Sequence, residues 1–381
     1  MKRSTQAIHS ICKKVGIEIN GSHPWDLQVK DDRLFDRVIR QGSLGLGEAY
    51  MDHWWDAEDV VELFCRLMRN EPAIKVVNAN SLFLLLRFAM LNLQRKSRAF
   101  NIAEAHYDLG NDLYEATLGP YMQYTCNLWT PETKTIEESE ELKLKGICDR
   151  LGLKAGDRVL DIGCGWGGFM YYASKNYGVS CVGLSVSAEQ KKFAKDFCTG
   201  LPVDYVISDY RDYTDKEGFD HIVSIEMIEH VGPKNYRTYF EKVLELLKPS
   251  GTFLLQTIGS SHPRPTPGPW INKYIFPDGV VTSIPRLEKA FRGLLVVEEL
   301  RNIGAHYETT LMSWWNQFDA RYQNLKQANA RYDERFYRMW KFYLLSCAGM
   351  FRSRAVADWQ ILFSKSPYSG FSKPFGTGYT T

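Results

Sequence analysis

The chain has 381 residues, enough for two or three domains of ordinary size, and 44% of them are hydrophobic and 24% charged. This composition is that of a globular protein and excludes a fibrous or wholly disordered chain. With 47 basic and 45 acidic residues the net charge is +2, so we expect no nucleic acid partner. Aromatic residues make up 13% of the chain, which predicts either a dense core or an apolar, cation-binding pocket.

The cysteines and the most apolar stretch bear on the cellular location of the protein. Eight cysteines are spread along the chain without a C-x-x-C pair, which indicates reduced thiols and no cysteine metal site. The basic N-terminus lacks the apolar segment of a secretory signal. The stretch 81–93 is shorter than the ~20 residues of a spanning helix and contains Arg87. We predict a cytosolic protein that is either soluble or lies on a surface.

Residues 1–94 predict a mainly helical N-terminal domain, interrupted by glycines within 42–47 and ending in a very apolar helix over 81–94. A basic, polar linker is expected over 95–105. Two interpretations of the apolar helix stay open. It is either a core helix followed by a solvated linker or a contact with an anionic membrane surface.

From residue 150 onward, apolar runs alternate with helical segments, which is typical of a parallel sheet covered on both faces. The predicted strands are 158–162, 180–184, 204–207, 219–224 and 252–255. Ser187 begins an S-x-x-Q capping sequence, and 234–247 predicts a later helix. The segment 259–285, rich in Gly and Pro, is too long for a plain connection and is interpreted as an insertion near the substrate.

A glycine-rich loop at 161–168 follows the first predicted strand, where glycines let the backbone and helix amides approach a ligand. Gly163, Gly165 and Gly168 also satisfy the G-x-G-x-x-G dinucleotide fingerprint. That fingerprint expects an acid about 20 residues later, where 184–187 read Leu-Ser-Val-Ser. The D-x-G-x-G form favours S-adenosylmethionine binding, with a dehydrogenase or a purely structural turn as alternatives.

Six further strings accompany this loop: HYDLGND (106–112), MQYTC (122–126), SAEQ (187–190), EHVGPKNY (229–236), WINKYIFP (270–277) and GAHYETTL (304–311). Together they make the chain resemble the bacterial cyclopropane-fatty-acyl-phospholipid synthases, which are related to the mycolic acid cyclopropane synthases. The resemblance covers nearly the whole chain. It implies an α/β catalytic domain over 106–381 with a seven-stranded, Rossmann-like methyltransferase sheet.

The resemblance implies transfer of a methylene from S-adenosylmethionine to the cis double bond of an unsaturated acyl chain in a membrane phospholipid. The product is a cyclopropane, formed through a carbocation that loses a proton to bound bicarbonate. Aromatic faces stabilise such a cation, and Tyr307 and Trp270 are candidates to line an acyl tunnel. The family also implies a homodimer, and its phospholipid substrate implies a cytoplasmic protein that associates peripherally with the inner face of the membrane. A membrane-binding module that uses the nucleotide fold only as a scaffold is the alternative from another class.

For bicarbonate, the resemblance implies contacts from Cys126, Glu229, Tyr307 and the backbone of Ile258. An anion beside Glu229 predicts a raised pKa for that carboxyl. Gln256 departs from the family's histidine, since it can donate a hydrogen bond but cannot carry charge or relay a proton. This departure leaves open a lipid C-methyltransferase that gives a methyl- or methylene-branched product.

The resemblance also implies the cofactor contacts. Tyr124 and Thr125 should close over the methionine part, and Ser185 and Gln190 should contact the ribose unless they only cap a helix. The remaining expected cofactor residues are Val159, Asp161, Gly163, Cys164, Gly165, Trp166 and Gly167 near the loop, and Asp209, Tyr210 and Arg211 at the adenine edge. Cys347 matches a cysteine once proposed as catalytic, and inert packing is its alternative.

Overall fold

The computed structural model describes residues 3–69, 110–261 and 267–365. Its helices are α1 (Arg3–Lys14), α2 (Arg33–Gln41), α3 (Ser43–Met51), α4 (Val60–Arg69), α5 (Asn111–Thr117), α6 (Ile136–Leu151), α7 (Gly168–Tyr177), α8 (Ala188–Phe197), α9 (Tyr236–Leu246), α10 (Pro269–Tyr274), α11 (Ile284–Phe291), α12 (Tyr307–Ala328) and α13 (Glu334–Arg352). Its strands are β1 (Gln28–Val29), β2 (Trp55–Asp56), β3 (Arg158–Ile162), β4 (Ser180–Ser185), β5 (Val203–Ile207), β6 (Phe219–Ile225), β7 (Leu247–Gly259), β8 (Leu295–Asn302) and β9 (Ala357–Lys365).

Seven of these strands form one sheet in the order β5-β4-β3-β6-β7-β9-β8. The strands from β5 to β7 run parallel, whereas β8 pairs antiparallel with β9. The side chains of β3 are almost wholly buried, as expected for a strand with helices on both faces. The predicted α/β methyltransferase sheet is confirmed.

The predicted strands coincide closely with β3 to β6, because each is a short apolar run between turn residues. Ser187 caps α8 as expected, since its hydroxyl accepts a hydrogen bond from the Gln190 amide at 3.3 Å. The strand predicted at 252–255 is much longer in the structure. It begins at Leu247, directly after α9, so that the Lys-Pro-Ser-Gly segment at 248–251 lies within the strand.

The chain divides into two compact units. The first unit combines 1–92 with 260–281 and 304–357, and the second comprises 93–259, 282–303 and 358–381. The continuous domain expected over 106–381 therefore contributes segments to both units. The apolar helix expected over 81–94 and the linker over 95–105 lie outside the described residues.

Close helix packing explains why late segments join the first unit. In α13, a Cβ at Gly349 would lie 2.5 Å from the Val61 carbonyl oxygen in α4, so the two backbones nearly touch. Arg338 of α13 donates to the Tyr50 carbonyl oxygen at 2.6 Å and forms an ion pair with Asp56 at 3.2 Å. These contacts join residues nearly 300 positions apart, which no local pattern predicts.

The second unit carries the large sheet, and its buried apolar residues come from α6, α7 and the central strands. None of the helices in the described ranges is long and apolar enough to cross a membrane. Over the same ranges, no group of three or more His, Cys, Asp or Glu side chains could hold a metal ion.

Candidate active site

The candidate site lies at the carboxyl ends of β3 and β6, which are neighbours in the middle of the sheet. After β3 the chain continues to β4 and β5 on one side, whereas β6 is followed by β7 on the other. Such a reversal of strand order opens a crevice at the carboxyl edge, where open α/β sheets bind their ligands. The position follows from topology alone, before any side chain is considered.

The glycine-rich loop occupies this crevice between β3 and α7. Gly163, Gly165 and Gly167 have positive φ angles of 89°, 52° and 86°, a region that side chains disfavour. A Cβ at Gly163 would lie 2.4 Å from the Met227 Cγ, and one at Gly168 would lie 1.9 Å from the Tyr121 carbonyl oxygen. Close packing therefore requires glycine at 163 and 168, whereas at 165 the positive φ alone favours it. The loop leads directly into the first turn of α7.

The residues within the loop are fixed by neighbours in the same unit. The Trp166 indole donates to the Asn111 side-chain oxygen at 3.0 Å, and its ring lies 4.7 Å from that of Tyr114. Tyr124 packs edge-on against Tyr114 at 5.1 Å. Cys164 is buried, and burial raises the pKa of its thiol well above the usual value. Tyr114, Tyr124 and Trp166 thus form an aromatic cluster beside the loop.

Asp161 ends β3 in a buried position, and burial raises the pKa of its carboxyl to about 8. The buried ammonium of Lys143 counteracts this increase. Lys143 also donates to the Thr125 hydroxyl at 2.6 Å, so the residue expected to close over the cofactor is held by this lysine. Val159 lies two residues before Asp161 in the core of the sheet, and its cofactor role stays a prediction.

At the end of β4, Ser185 and Gln190 are hydrogen-bonded to each other at 3.1 Å. The Ser185 hydroxyl also accepts from the Ser187 amide at 3.2 Å. The Nε2 atom of Gln190 is buried and has no hydrogen-bond partner. Because an unpaired buried donor costs about 1–3 kcal/mol, a ligand hydroxyl or carbonyl at this atom would be stabilising. The observation supports more than helix capping.

After β5, the Arg211 guanidinium binds the Asp209 carboxylate through two hydrogen bonds of 2.6 and 2.8 Å. The Tyr210 ring packs edge-on against Tyr239 at 5.3 Å. Its hydroxyl is buried without a hydrogen-bond partner, and burial strongly raises its pKa. The structure therefore leaves the Tyr210 hydroxyl as the polar atom available to a ligand, while the Asp209 carboxylate is bound by Arg211.

Three carboxyls, those of Glu226, Glu229 and Asp358, lie close together near the end of β6. Glu229 accepts hydrogen bonds from the Ile258 amide at 2.5 Å and from the Thr257 hydroxyl at 2.9 Å. Its second oxygen is buried and has no hydrogen-bond partner. Burial, reinforced by the charge of Glu226, raises the pKa of Glu229 to about 8. The direction agrees with the expectation, but its main cause is burial and not a bound anion.

Gln256, in β7, connects two further carboxyls. Its Nε2 atom donates to Glu226 at 2.9 Å and to Asp358 at 3.0 Å, and its Oε1 accepts from Gln360 at 2.9 Å. Gln360 in turn accepts a short hydrogen bond from Arg150. The amide is therefore oriented by contacts at both ends, which fixes Nε2 as the end that faces the carboxyls.

Cys126 contributes its backbone to the same cluster. Its amide donates to Glu226 at 2.8 Å, whereas its thiol faces the carbonyl oxygens of Asn127 and Ile303 at 3.4 and 3.8 Å. Burial raises the pKa of the thiol well above its usual value, which keeps it neutral. The amide of Cys126, rather than its neutral thiol, is therefore the group that donates to Glu226.

Glu226 and Asp358 are two site residues that were not predicted from the sequence. Glu226 stands three residues before Glu229 and has a positive φ of 50°, an uncommon conformation for a residue with a side chain. Asp358 enters through β9, which pairs beside β7 although it lies about 100 positions later. The E-x-x-E spacing was a readable signal for Glu226, but the strand pairing that places Asp358 was not.

Tyr307, Trp270 and Cys347 belong to the first unit. Tyr307 stacks on Phe351 at 4.3 Å, and Trp270 packs edge-on against Phe342 at 4.6 Å. Burial raises the pKa of Cys347 to about 12, which is typical of an unreactive thiol. The roles expected for these three residues in the reaction stay predictions.

The residues present do not fit a bound bicarbonate. The amide of Cys126 and the Nε2 atom of Gln256 donate to Glu226, and the amide of Ile258 donates to Glu229. The donors expected for the anion are thus taken by carboxyls of the chain itself. Glu226 already places a carboxylate among these donors, and a second anion beside it would be repelled.

This sheet, its glycine loop and the unpaired donor of Gln190 define the class of S-adenosylmethionine-dependent methyltransferases. The family model described as mycolic acid cyclopropane synthetase matches residues 94–361, and the chain belongs to this family. The chain is 46% identical to the cyclopropane-fatty-acyl-phospholipid synthase of Escherichia coli K12, over 95% of this chain and 94% of that protein.

Two other similarities bear on the site. Sphingolipid C9-methyltransferase A of Emericella nidulans is 33% identical over 68% of this chain and 53% of its own length. The solved structure of mycolic acid cyclopropane synthase CmaA1, complexed with SAH and CTAB, is 30% identical with a TM-score of 0.64. That match covers 70% of this chain and 98% of the other. Relatives of this chain thus include both cyclopropane synthases and a lipid C-methyltransferase.

Proposed function

We propose that this enzyme transfers a methylene from S-adenosylmethionine to the cis double bond of an unsaturated acyl chain in a membrane phospholipid, forming a cyclopropane. The carrying observation is the similarity to the Escherichia coli synthase over 95% of the chain, because it extends through the N-terminal residues that precede the family match at 94–361. The carboxyl cluster supports the same reaction, since it offers a candidate base and since Met227, next to Glu226, lies against Gly163 of the loop.

The cofactor is the methyl donor, and the contacts that would hold it come from the loop and from the ends of β4 and β5. Its sulfonium supplies a methyl cation to a nucleophile. An alkene is a weak nucleophile, so the chain must align it with that methyl, and such positioning can supply about 7–11 kcal/mol of the barrier. The tight glycine loop and the fixed Trp166 serve this alignment by preventing the cofactor site from shifting.

Attack by the alkene leaves a positive charge on the acyl chain, and a base must then remove one proton from the new methyl group. The resemblance implied bicarbonate as that base. The donors expected for bicarbonate bind Glu226 and Glu229 instead, so we route no step through the anion. What the proposal requires here is an oriented carboxylate from the chain.

A second candidate is a lipid C-methyltransferase that leaves a methyl or methylene branch. Gln256 and the similarity to sphingolipid C9-methyltransferase A favour it. Both reactions share the methyl transfer and the cation, and they differ in the fate of that cation. Loss of a methyl proton with ring closure gives the cyclopropane, a hydride shift before that proton loss gives a methylene branch, and a saturated methyl branch needs a separate hydride donor. The alternatives therefore concern the same site and the same cofactor.

We also propose that the protein docks on the bilayer surface and acts as a homodimer. The candidate membrane contact is the apolar and basic segment 81–98, which lies outside the described residues. Its composition, an apolar run followed by Arg95, Lys96 and Arg98, suits an anionic lipid surface.

Purified protein incubated with labelled S-adenosylmethionine and vesicles of unsaturated phospholipid tests the proposal. We expect label in the phospholipid and upfield ring-proton signals in the NMR spectrum of the released acyl chains. Methylene or methyl-branch signals in place of ring signals would support the C-methyltransferase. Absence of label in lipid, with S-adenosylmethionine binding intact by calorimetry, would overturn both.

A further inference from the structure

Glu226 occupies the turn directly after β6 and is anchored by its own backbone. Its amide donates to the Gln256 carbonyl oxygen at 2.8 Å, and its φ is 50°. A non-glycine residue in this conformation is uncommon and costs of order 1 kcal/mol or more. The side chain is half-buried at the sheet edge, where its carboxylate is stabilised by hydrogen-bond donors from other segments.

The partners of its carboxylate are specific. The Cys126 amide at 2.8 Å and the Gln256 Nε2 at 2.9 Å both donate to the same oxygen, Oε1. Asp358 is also hydrogen-bonded to Glu226, a contact that raises the pKa of Asp358 in addition to the larger effect of burial. These three groups come from three separate segments, so they hold the carboxylate in one orientation.

Burial makes two neighbouring carboxyls, Glu229 and Asp358, harder to ionise than carboxyls in water. Burial raises the pKa of Glu229 to about 8, and it raises the pKa of Asp358 well above its usual range. A protonated Asp358 can donate to Glu226, and the buried ammonium of Lys143 is attracted to both residues. The charges and hydrogen bonds of the cluster thus converge on Glu226 as its proton acceptor.

We propose that the carboxylate of Glu226 is the base of this enzyme and takes the place of bicarbonate. The assignment rests on the proposed function. The π electrons of the alkene form a bond to the methyl carbon while the bond from sulfur to that carbon breaks and leaves its electrons on sulfur. Glu226 then removes a proton from the transferred methyl, and the electrons of that C–H bond close the ring on the cationic carbon. The products are S-adenosylhomocysteine, the cyclopropane and protonated Glu226, which returns its proton to solvent after product release.

Gln256 is suited to this arrangement. An amide donates to the carboxylate without competing for the proton, whereas an imidazole beside Glu226 would itself accept a proton. Gln360 and Arg150 hold the amide in the orientation that keeps Nε2 toward Glu226. Gln256 is therefore a positioning residue for Glu226.

The variant Glu226→Gln tests the assignment, since its amide oxygen can accept the same two hydrogen bonds but cannot take a proton. Methyl transfer needs no base, so we expect the variant to keep forming S-adenosylhomocysteine, while ring formation falls by about 10²–10⁴-fold, as for the loss of a general base. Acyl products in which water has captured the cation should appear instead. A merely structural role would lower all products together. Wild-type ring formation should be unchanged in buffer purged of carbon dioxide and bicarbonate.

Glu217→Gln is the matched control, because the Glu217 side chain is 79% exposed. We expect the ratio of ring to total methylated product in this variant to equal that of the wild type. If Glu226→Gln no longer binds S-adenosylmethionine by calorimetry, Glu226→Gly replaces it and is scored in the same way, since glycine tolerates the positive φ. An unchanged ratio of ring to total methylated product, loss of all methyl transfer with intact cofactor binding, or a wild type that requires bicarbonate would overturn the assignment. A wild type that methylates no phospholipid would instead refute the proposed function.

Discussion

At the scale of single residues, the site is distinguished by carboxyls whose environment is dry and crowded. Glu229 keeps one oxygen bound by the Ile258 amide and the other buried without a hydrogen-bond partner. Such a group is stable only when neutral, which is why burial raises its pKa to about 8. Beside it, Glu226 has the N–H donors that stabilise a charge. Two glutamates three positions apart thus have different surroundings, since only Glu226 accepts from both the Cys126 amide and the Gln256 side chain.

This contrast predicts a pH dependence of stability. Because the folded pKa of Glu229 is raised from 4.5 to about 8, its contribution to stability is complete below pH 4.5 and is lost as the pH rises to 8. Glu229→Gln cannot ionise, so its free energy of unfolding relative to wild type should increase between pH 5 and 8 by about 1–3 kcal/mol, since one pKa unit is worth about 1.4 kcal/mol. Urea unfolding at several pH values measures this difference. A difference that is constant with pH would show that Glu229 is ionised in the folded protein.

The sequence made much of this site predictable, because cofactor and anion residues lie in short strings such as 122–126 and 161–168. Glu226 was missed because the resemblance placed a small anion where the structure places a side chain of the chain itself. Asp358 was missed because β9 reaches the site only through strand pairing, and the separation of 102 positions from Gln256 carries no local signal.

At the scale of secondary-structure elements, short apolar runs gave reliable strands and close glycine contacts set the packing of helices. The run 158–162 corresponds to β3 without a shift at either end, since turn residues bound it on both sides. The glycines in helices differ in what surrounds them. A Cβ at Gly349 would collide with the α4 backbone, whereas a Cβ at Gly146 in α6 would meet only a Leu128 methyl at 3.8 Å.

Alanine at these two glycines should therefore have opposite effects. Gly349→Ala should destabilise the protein by about 1–3 kcal/mol, the usual cost of overpacking a tight interface. Gly146→Ala should stabilise it by about 0.5–1 kcal/mol, because alanine is the better helix former and nothing obstructs its methyl. Denaturant unfolding of both variants measures the two changes. Equal effects of the same sign would contradict the packing described for α13 and α4.

At the scale of the whole molecule, the chain forms two compact units, and the first unit draws on three separate segments of the sequence. The sequence indicated a helical N-terminal part and an α/β part, because composition and periodicity change along the chain. It could not indicate that 260–281 and 304–357 join the first unit, since that follows from contacts such as Arg338 with Tyr50. The aromatic excess is partly explained in the same way: Trp270 and Tyr307 pack within this unit.

The proposed membrane docking concerns the whole molecule, and substitution can separate it from catalysis. Replacing Leu84 and Leu85 by Asp should reduce binding to anionic phospholipid vesicles at least tenfold, because each charge opposes insertion of an apolar face. Affinity for S-adenosylmethionine should be unchanged. Vesicle flotation and calorimetry measure the two quantities, with Glu217→Gln as the control. Full vesicle binding by the double variant would assign docking to another part of the chain.

A deuterated donor shows whether the enzyme transfers a methyl group to a lipid double bond and then removes a proton from that methyl group. S-adenosylmethionine carrying a fully deuterated methyl group is incubated with the protein and unsaturated phospholipid vesicles, and the acyl product is analysed by mass spectrometry and NMR. The account predicts a cyclopropane whose ring methylene retains two of the three deuterons. A product that retains all three deuterons, or that lacks ring signals altogether, would contradict it.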